Sequence, residues 1–354
     1  MEITRNGKIG FHVRMGKRKT RKNVLRGGEF LGKGAQGKAY NAGCGPKGES
    51  LCTLLTESAI TEITLYTEKG PVHIKSPEDI SEFVNYTKDM REAIAKLFKY
   101  KGKTSKTAHD KLLEEIDSNK RIATLYGKEA ERFTTVAPIR GYKDHTLYGA
   151  YLKLSGKPDI YTVFGLKCNN KYTMHLKRLL LDILGSLIIL NAKDYYHNDI
   201  KLDNMVQCGD MYKLIDWGAS VPARYEEKVH GSLLTTSPMR WYTFGYNQFI
   251  STSIIGTRTY YGNSTVYKSP IFQETVARIN KEFYAVMKTT TDRETLFRKY
   301  KDSYDVFMLG ITALHAVILH KLDYEPYRTT IERMTSLQTP LNASEAMHIV
   351  ARLP

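Results

Sequence analysis

Apolar positions along this chain fall into several kinds of run, and each kind predicts a different element. Between Tyr172 and Ala192, Leu176, Leu179, Leu180, Ile183, Leu184, Leu187, Ile188 and Leu190 crowd a helical period so closely that little of the circumference stays polar. That is the pattern of a core helix shielded on most sides. A second apolar helix follows Tyr304 and Asp305, through Val306, Phe307, Leu309 and Ile311. The stretch from Thr107 to Tyr126 is amphipathic instead, with Leu112, Leu113, Ile116 and Ile122 as its inward stripe. Two short runs, Met205 to Cys208 and Tyr212 to Ile215, flank a Gly-Asp pair and predict a tight hairpin. Leu51 to Tyr66 and Asp79 to Tyr86 carry enough apolar residues to fold against a neighbouring layer.

The polar residues around that hairpin change the picture. His197-Asn198-Asp199-Ile200-Lys201-Leu202-Asp203-Asn204 precedes it and Asp216-Trp217-Gly218 follows, so the two strands deliver Asn204 and Asp216 to neighbouring points. Aspartates and asparagines also cap turns, but turn economy does not call for these residues in this order. The loop resembles the protein-kinase catalytic loop H-R-D-x-K-x-x-N, and Asp216-Trp217-Gly218 resembles that family's D-F-G. The resemblance implies that Asp199 orients an acceptor hydroxyl and takes its proton, and that Lys201 neutralises the transferring phosphate. It also implies that Asn204 and Asp216 hold Mg²⁺, with Mn²⁺ as a substitute.

A second segment agrees with the first. Phe30 to Tyr40 resembles the family's glycine-rich hairpin over the nucleotide phosphates, with Gly32, Gly34 and Gly37 in G-x-G-x-x-G register. Leu31, Lys33, Ala35, Gln36 and Ala39 complete the ATP-facing set, and Ala39 stands where valine is usual. The same glycine spacing marks dinucleotide sites, but here Lys38 to Ala42 reads as a returning strand, where a dinucleotide unit would open a helix. Ala93-Ile94-Ala95-Lys96 looks like the family's V-A-I-K strand, which makes Lys96 the ATP lysine; Lys75, in Val72-His73-Ile74-Lys75, is its competitor. Glu115, nineteen residues past Lys96, is the expected mate, with Glu114 the alternative.

The resemblance implies an α+β, bilobal protein-kinase-like fold with insertions and a shortened or rearranged C-terminal lobe. In this reading residues 1–26 are a basic arm, 27–154 a first lobe with an insertion near 43–90, and 155–354 a second lobe with an extended activation region near 219–300. First-lobe strands are expected at Glu29 to Ala42, Ala93 to Tyr100, Phe133 to Arg140 and Leu147 to Leu154. Lys153 to Pro158 is the expected hinge, with adenine bonded near Ala150 to Leu152. Asp305 would brace the catalytic loop from a buried helix, against the alternative of a surface acid opening that helix. Two degraded counterparts of the family's A-P-E occur, Ser237-Pro238-Met239 and Ser269-Pro270-Ile271, and the later is slightly preferred. Asn198 replaces an arginine that in many members receives an activating phosphate, which argues against obligatory phosphorylation.

The implied activity is ATP-dependent transfer to protein serine or threonine. Alternatives are a kinase-fold enzyme for small molecules and a nucleotide-binding scaffold without catalysis. Net charge is +16, and nine Lys or Arg lie between Arg5 and Arg26. Such an arm could dock an acidic protein, a membrane surface or nucleic acid, or stay solvated. Cysteines 44, 52, 168 and 208 show no tight pairing and suggest a reducing, intracellular and cytoplasmic setting rather than a disulfide framework or zinc site. The 172–192 helix is too short and interrupted for a membrane span, no other segment does better, and no secretory signal opens the chain. The insertions and shortened end are compatible with a divergent viral or pathogen kinase, acting in the host cell or carried in a virion.

Overall fold

A computed structural model describes residues 32–33, 37–44, 50–90, 93–98, 105–136, 139–168, 174–222, 266, 268–289 and 293–354. The architecture is mixed α+β, with a sheet-rich N-terminal region and a helix-rich C-terminal one.

The sheet contains β1 (Gly32–Lys33), β2 (Gly37–Asn41), β3 (Ile60–Thr67), β4 (Gly70–Ile74), β5 (Ala93–Phe98), β6 (Ile139–Tyr142), β7 (His145–Leu154) and β8 (Ile160–Leu166). Its order is β1-β2-β5-β8-β7-β3-β4, with β6 paired to β7. Helices α1 (Leu51–Thr56) and α2 (Pro77–Asp89) cover one face. Ser50 caps the first through its hydroxyl and Ser76 the second, with Pro77 in the opening turn. Ile63, Leu65, Ala93, Ala95, Ala150, Leu152 and Phe164 point into this layer and meet Leu51, Leu55 and Phe83. Because side chains alternate along a strand, Tyr66, Tyr161 and Val163 point the other way, onto α3 (Ser105–Tyr126).

Helix α3 joins the two regions. Ala108, Leu112 and Ile116 pack beneath the sheet. Ile122 and Tyr126, further along the same stripe, belong to the core of the helical region. Gly149 of β7 makes the close approach possible, since a Cβ there would stand 2.8 Å from Ile116 Cδ1 and 2.6 Å from the Thr162 carbonyl oxygen.

The helical region is built on α5 (Leu176–Asn191), α6 (Pro270–Thr289), α7 (Arg293–Tyr300), α8 (Tyr304–Leu319), α9 (Glu325–Met334) and α10 (Ala343–Ala351); α4 (Ala130–Phe133) precedes β6. Leu176, Leu179, Leu180, Ile183, Leu184, Leu187 and Leu190 of α5 are all buried in one core with α8, as their density along the chain predicts. Two further strand pairs lie here: β10 (Met205–Cys208) with β11 (Met211–Leu214), and β9 (Tyr195–Tyr196) with β12 (Val221–Pro222).

Several expectations are corrected. Lys153 to Pro158 is not a hinge leading out of the sheet: β7 turns there into β8, which returns to pair with both β7 and β5, so the sheet extends to Leu166. Ala150 and Leu152 lie in a strand flanked by β3 and β8, so their backbone groups serve the ladders and not adenine. Phe133 to Arg140 is not one strand, because Phe133 ends α4 and β6 begins at Ile139. The 43–90 stretch is not merely laid against the sheet; it supplies β3 and β4. Residues 270–300 are largely the helices α6 and α7, and Ser269-Pro270 opens the first of them; Ser237-Pro238-Met239 and the basic arm lie outside the described residues. All four cysteines are paired, Cys44 with Cys52 and Cys168 with Cys208, where neither the 8- nor the 40-residue separation signals a bond until the fold brings the Cα atoms to 5.0 and 4.6 Å. A segment other than 172–192 does better as a candidate span: Arg298–Leu319 is long and apolar enough to cross a membrane, although 83% of its most apolar window is buried inside the protein.

Candidate functional site

Strand alternation explains how Lys96 reaches its partner. Ala93 and Ala95 point toward α1 and α2, so Lys96 must point toward α3. There its Nζ donates to both carboxylate oxygens of Glu115, at 2.7 and 2.8 Å. The two side chains are 25% and 16% exposed. Burial pushes the Glu115 carboxyl above its ordinary range, Lys96 pulls it back, and the negative charge of Asp216 pushes it up again. Glu114 is exposed. Lys75 follows β4 at the sheet edge opposite β1, is 70% exposed and stands 3.7 Å from Glu62. Of the glycine-rich segment, Gly32 and Lys33 form β1, while Gly37 and Ala39 lie in β2, with Ala39 directly across from Lys96. Leu31, Gly34, Ala35 and Gln36 lie outside the described residues.

The second cluster lies in the loop between β9 and β10. Lys201 Nζ donates to Asp199 Oδ2 at 2.6 Å, and Asn204 Nδ2 donates to the same oxygen at 2.7 Å and to the Asp199 carbonyl at 2.8 Å. Both partners of that nitrogen are acceptors, which identifies it as the amide nitrogen and leaves Asn204 Oδ1 as an acceptor. Ile215 N donates to the Asn204 carbonyl at 3.0 Å, one step beyond the Met205–Leu214 pairing, so the hairpin sets Asn204 beside the approach to Asp216. Asp216 and Asn198 adopt left-handed backbone, at φ 62° and 64°. Asp and Asn tolerate that region better than most side chains, which accounts for an asparagine at 198 on conformational grounds.

Helix α8 holds this loop from beneath. Asp305, buried at its first turn, accepts from His197 N at 2.7 Å and Asn198 N at 3.0 Å. It is therefore a brace and not a surface acid. Thr312, two turns on, shares its hydroxyl proton between the Met308 carbonyl of its own helix at 2.8 Å and the Ile200 carbonyl of the loop at 3.1 Å. Burial pushes the Asp305 carboxyl up to about 6, against the two N–H bonds, which pull it down. His197 accepts from Asp199 N at 3.3 Å through Nδ1, so its Nε2 carries the proton that bonds the Ile215 carbonyl at 3.1 Å. Burial lowers its pKa to about 4, and the ring is neutral. Trp217 is buried with its ring 4.4 Å from that of His197 and edge-on to Tyr126 at 5.7 Å. Its indole N–H has no partner among the described residues.

Thr312 and Ser118, whose hydroxyl donates to the Trp217 carbonyl at 2.9 Å, are two contacts that the sequence reading missed. Thr312 had a signal, as a hydroxyl seven residues after Asp305 on an apolar helix. Ser118 had none beyond lying one turn past Glu115. Among the described residues no three or more His, Cys, Asp or Glu gather to hold a metal ion. Asn204 and Asp216 are two hard oxygen donors that leave most of a cation's coordination to other ligands, the mode in which Mg²⁺ joins one or two side chains to phosphates and water. No protein-family model matches the chain, and no curated protein matches it in sequence.

Proposed function

We propose that the chain is an ATP-dependent serine/threonine protein kinase of bilobal, protein-kinase-like fold. The observation that carries this reading is that two clusters from distant sequence meet at the Asp216 turn, α3 through the Ser118 bond to the Trp217 carbonyl and the loop through the Ile215 bond to the Asn204 carbonyl. Lys96 and Glu115 come from the sheet and α3, while Asp199, Lys201 and Asn204 come from the loop on α8. The Asp216 charge bears on both Glu115 and His197.

Lys96, oriented by Glu115, would bind phosphate oxygens from the sheet side, with the hairpin through Gly32 and Gly37 covering them. Asn204 Oδ1 and the Asp216 carboxylate would hold Mg²⁺, or Mn²⁺ in its place, which supplies charge neutralisation at the transferring phosphate when bound. Asp199, already an acceptor to Lys201 and Asn204, would orient an acceptor hydroxyl and take its proton. Lys201 would neutralise charge on the moving group. A hydroxyl on a protein is the proposed acceptor, and the basic arm offers a docking element for an acidic partner.

The test is Mg²⁺-dependent transfer of labelled γ-phosphate from ATP to a mixed protein and peptide panel, comparing the natural chain with Asp199→Asn and locating label by mass spectrometry. Label on serine or threonine with the natural chain alone is the expected result. Mg²⁺-ATP binding with no labelled protein would overturn the protein-kinase reading in favour of a small-molecule acceptor or a scaffold.

A further inference from the structure

One bond at the site serves none of the roles above. Ser118 is buried on α3, three residues past Glu115, and its hydroxyl reaches across to the carbonyl that follows Asp216, that of Trp217, at 2.9 Å. The same helix therefore touches Lys96 through Glu115 and the Asp216 turn through Ser118. Tyr126, two turns further, packs its ring against the Trp217 indole, and the indole packs on His197 of the loop.

The Trp217 carbonyl has other partners. Ser220 donates to it twice, through Oγ at 2.6 Å and through its backbone N–H at 3.1 Å. A carbonyl oxygen has two lone pairs, so Ser220 alone satisfies it. The Ser118 bond is redundant for burying this carbonyl. What it adds is a fixed separation between α3 and the Asp216 turn, and it can break without orphaning the carbonyl.

We propose that Ser118 is a positioning residue: a reversible hydroxyl latch that keeps the Lys96–Glu115 pair in register with Asp216. The proposal rests on the phosphotransferase reading and adds to it a residue that touches neither nucleotide nor metal. Loss of the latch would alter where Asp216 stands relative to Lys96 more than whether nucleotide binds, so the effect belongs in kcat more than in KM for ATP.

The tryptophan beside the latch provides the readout. The chain has two tryptophans, Trp217 and Trp241. In the full chain carrying Trp241→Phe, emission and acrylamide quenching report on Trp217 alone. Ser118→Ala and Ser118→Thr are compared in this background for Trp217 emission, thermal unfolding, and kcat and KM for ATP. Alanine is expected to red-shift and expose Trp217 and to lower kcat about tenfold with KM little changed, the scale of one buried hydrogen bond. Threonine, which keeps a hydroxyl, is expected to restore both. The proposal is overturned if alanine leaves emission and kcat unchanged, or if both variants lose kcat only in proportion to a fall in Tm. A chain that transfers no phosphate even before the serine is changed would overturn the phosphotransferase reading, and with it the latch's assignment to transfer. In that chain the emission shift and its reversal by threonine would still separate a real tie between α3 and the turn from none.

Discussion

Lys96 and Asp199 are held in opposite ways. Asp199 belongs to a loop whose backbone is fastened at three points to α8, by two N–H bonds to Asp305 and one carbonyl bond from Thr312, all buried. Lys96 projects from a strand and meets Glu115 across the gap to α3, with both side chains touching solvent. The first arrangement ties the site to the stability of the helical core. The second is an ion pair whose carboxylate is largely desolvated, so Glu115 depends on Lys96 to stay charged while the backbone on either side does not depend on the pair. The loop is thus preorganised by burial, and the lysine by one helix whose placement depends on close packing at Gly149.

The sharpest way to break this comparison is to remove Asp305. Asp305→Ala orphans the buried N–H groups of His197 and Asn198, at roughly 1–3 kcal/mol each. Thermal unfolding should shift down strongly, with phosphate transfer lost. An unchanged Tm would show that the loop is held by something other than α8.

Next come the residues whose loss should affect chemistry more than stability. Asp199→Asn keeps an oxygen to accept from Lys201 or Asn204 but cannot take a proton, so transfer should slow by about 10²–10⁴-fold with Mg²⁺-ATP binding preserved. Asp216→Asn should weaken both metal-dependent binding and transfer. Full activity in both variants, measured side by side, would remove the assignment of base and metal roles.

On the sheet side, Lys96→Met should suppress transfer and lower unfolding free energy by about 1–3 kcal/mol, the cost of leaving the desolvated Glu115 without its partner. Lys75→Met should do neither, since Lys75 stands at the far edge of the sheet. Denaturant unfolding with parallel transfer assays checks both. A stability loss as large as that of Asp305→Ala would mean the pair holds the core as firmly as the loop contacts do and would erase the contrast.

What could be read from the chain follows the same division. Local order was legible: the stripe of α3, the apolar density of α5, and the hairpin that brings Asn204 toward Asp216 all follow from periodicity and turn residues. The pairing of Lys96 with Glu115 was expected from the resemblance to V-A-I-K and the interval to the helical stripe, and the two side chains do meet, while the choice of Glu115 over Glu114 needed the fold. Long-range pairing was not. Nothing in Ile160 to Leu166 announces that β8 inserts between β5 and β7, and this displaced the expected hinge and adenine contacts. The Cys168–Cys208 pair was hidden for the same reason, since the two meet only once β8 and the β10–β11 hairpin are in place. Buried polar contacts such as Ser118 to Trp217 join residues 99 apart and carry no periodic signal.

A pH dependence also separates loop from core. Burial lowers His197 and His315 to about 4. An unfolded histidine titrates near 6.5, so between about 6.5 and 4 the unfolded chain binds protons that the folded chain refuses, and these two groups make stability fall as pH falls. Asp305, raised to about 6, acts the other way: the folded chain takes its proton first, and its contribution is lost as pH rises through that value. His315 lies in the helical core ten residues past Asp305, with its ring 5.7 Å from that of Phe272, and burial alone lowers its pKa, so its titration is separate from those of His197 and Asp305. In His315→Leu the fall in Tm between about pH 6.5 and 4.5 should be shallower than in the natural chain, by an amount that reflects this one residue because the other groups titrate in both. Equal slopes in the two chains would mean that His315 takes up its proton without loss of the fold, and that the acid sensitivity resides in the loop.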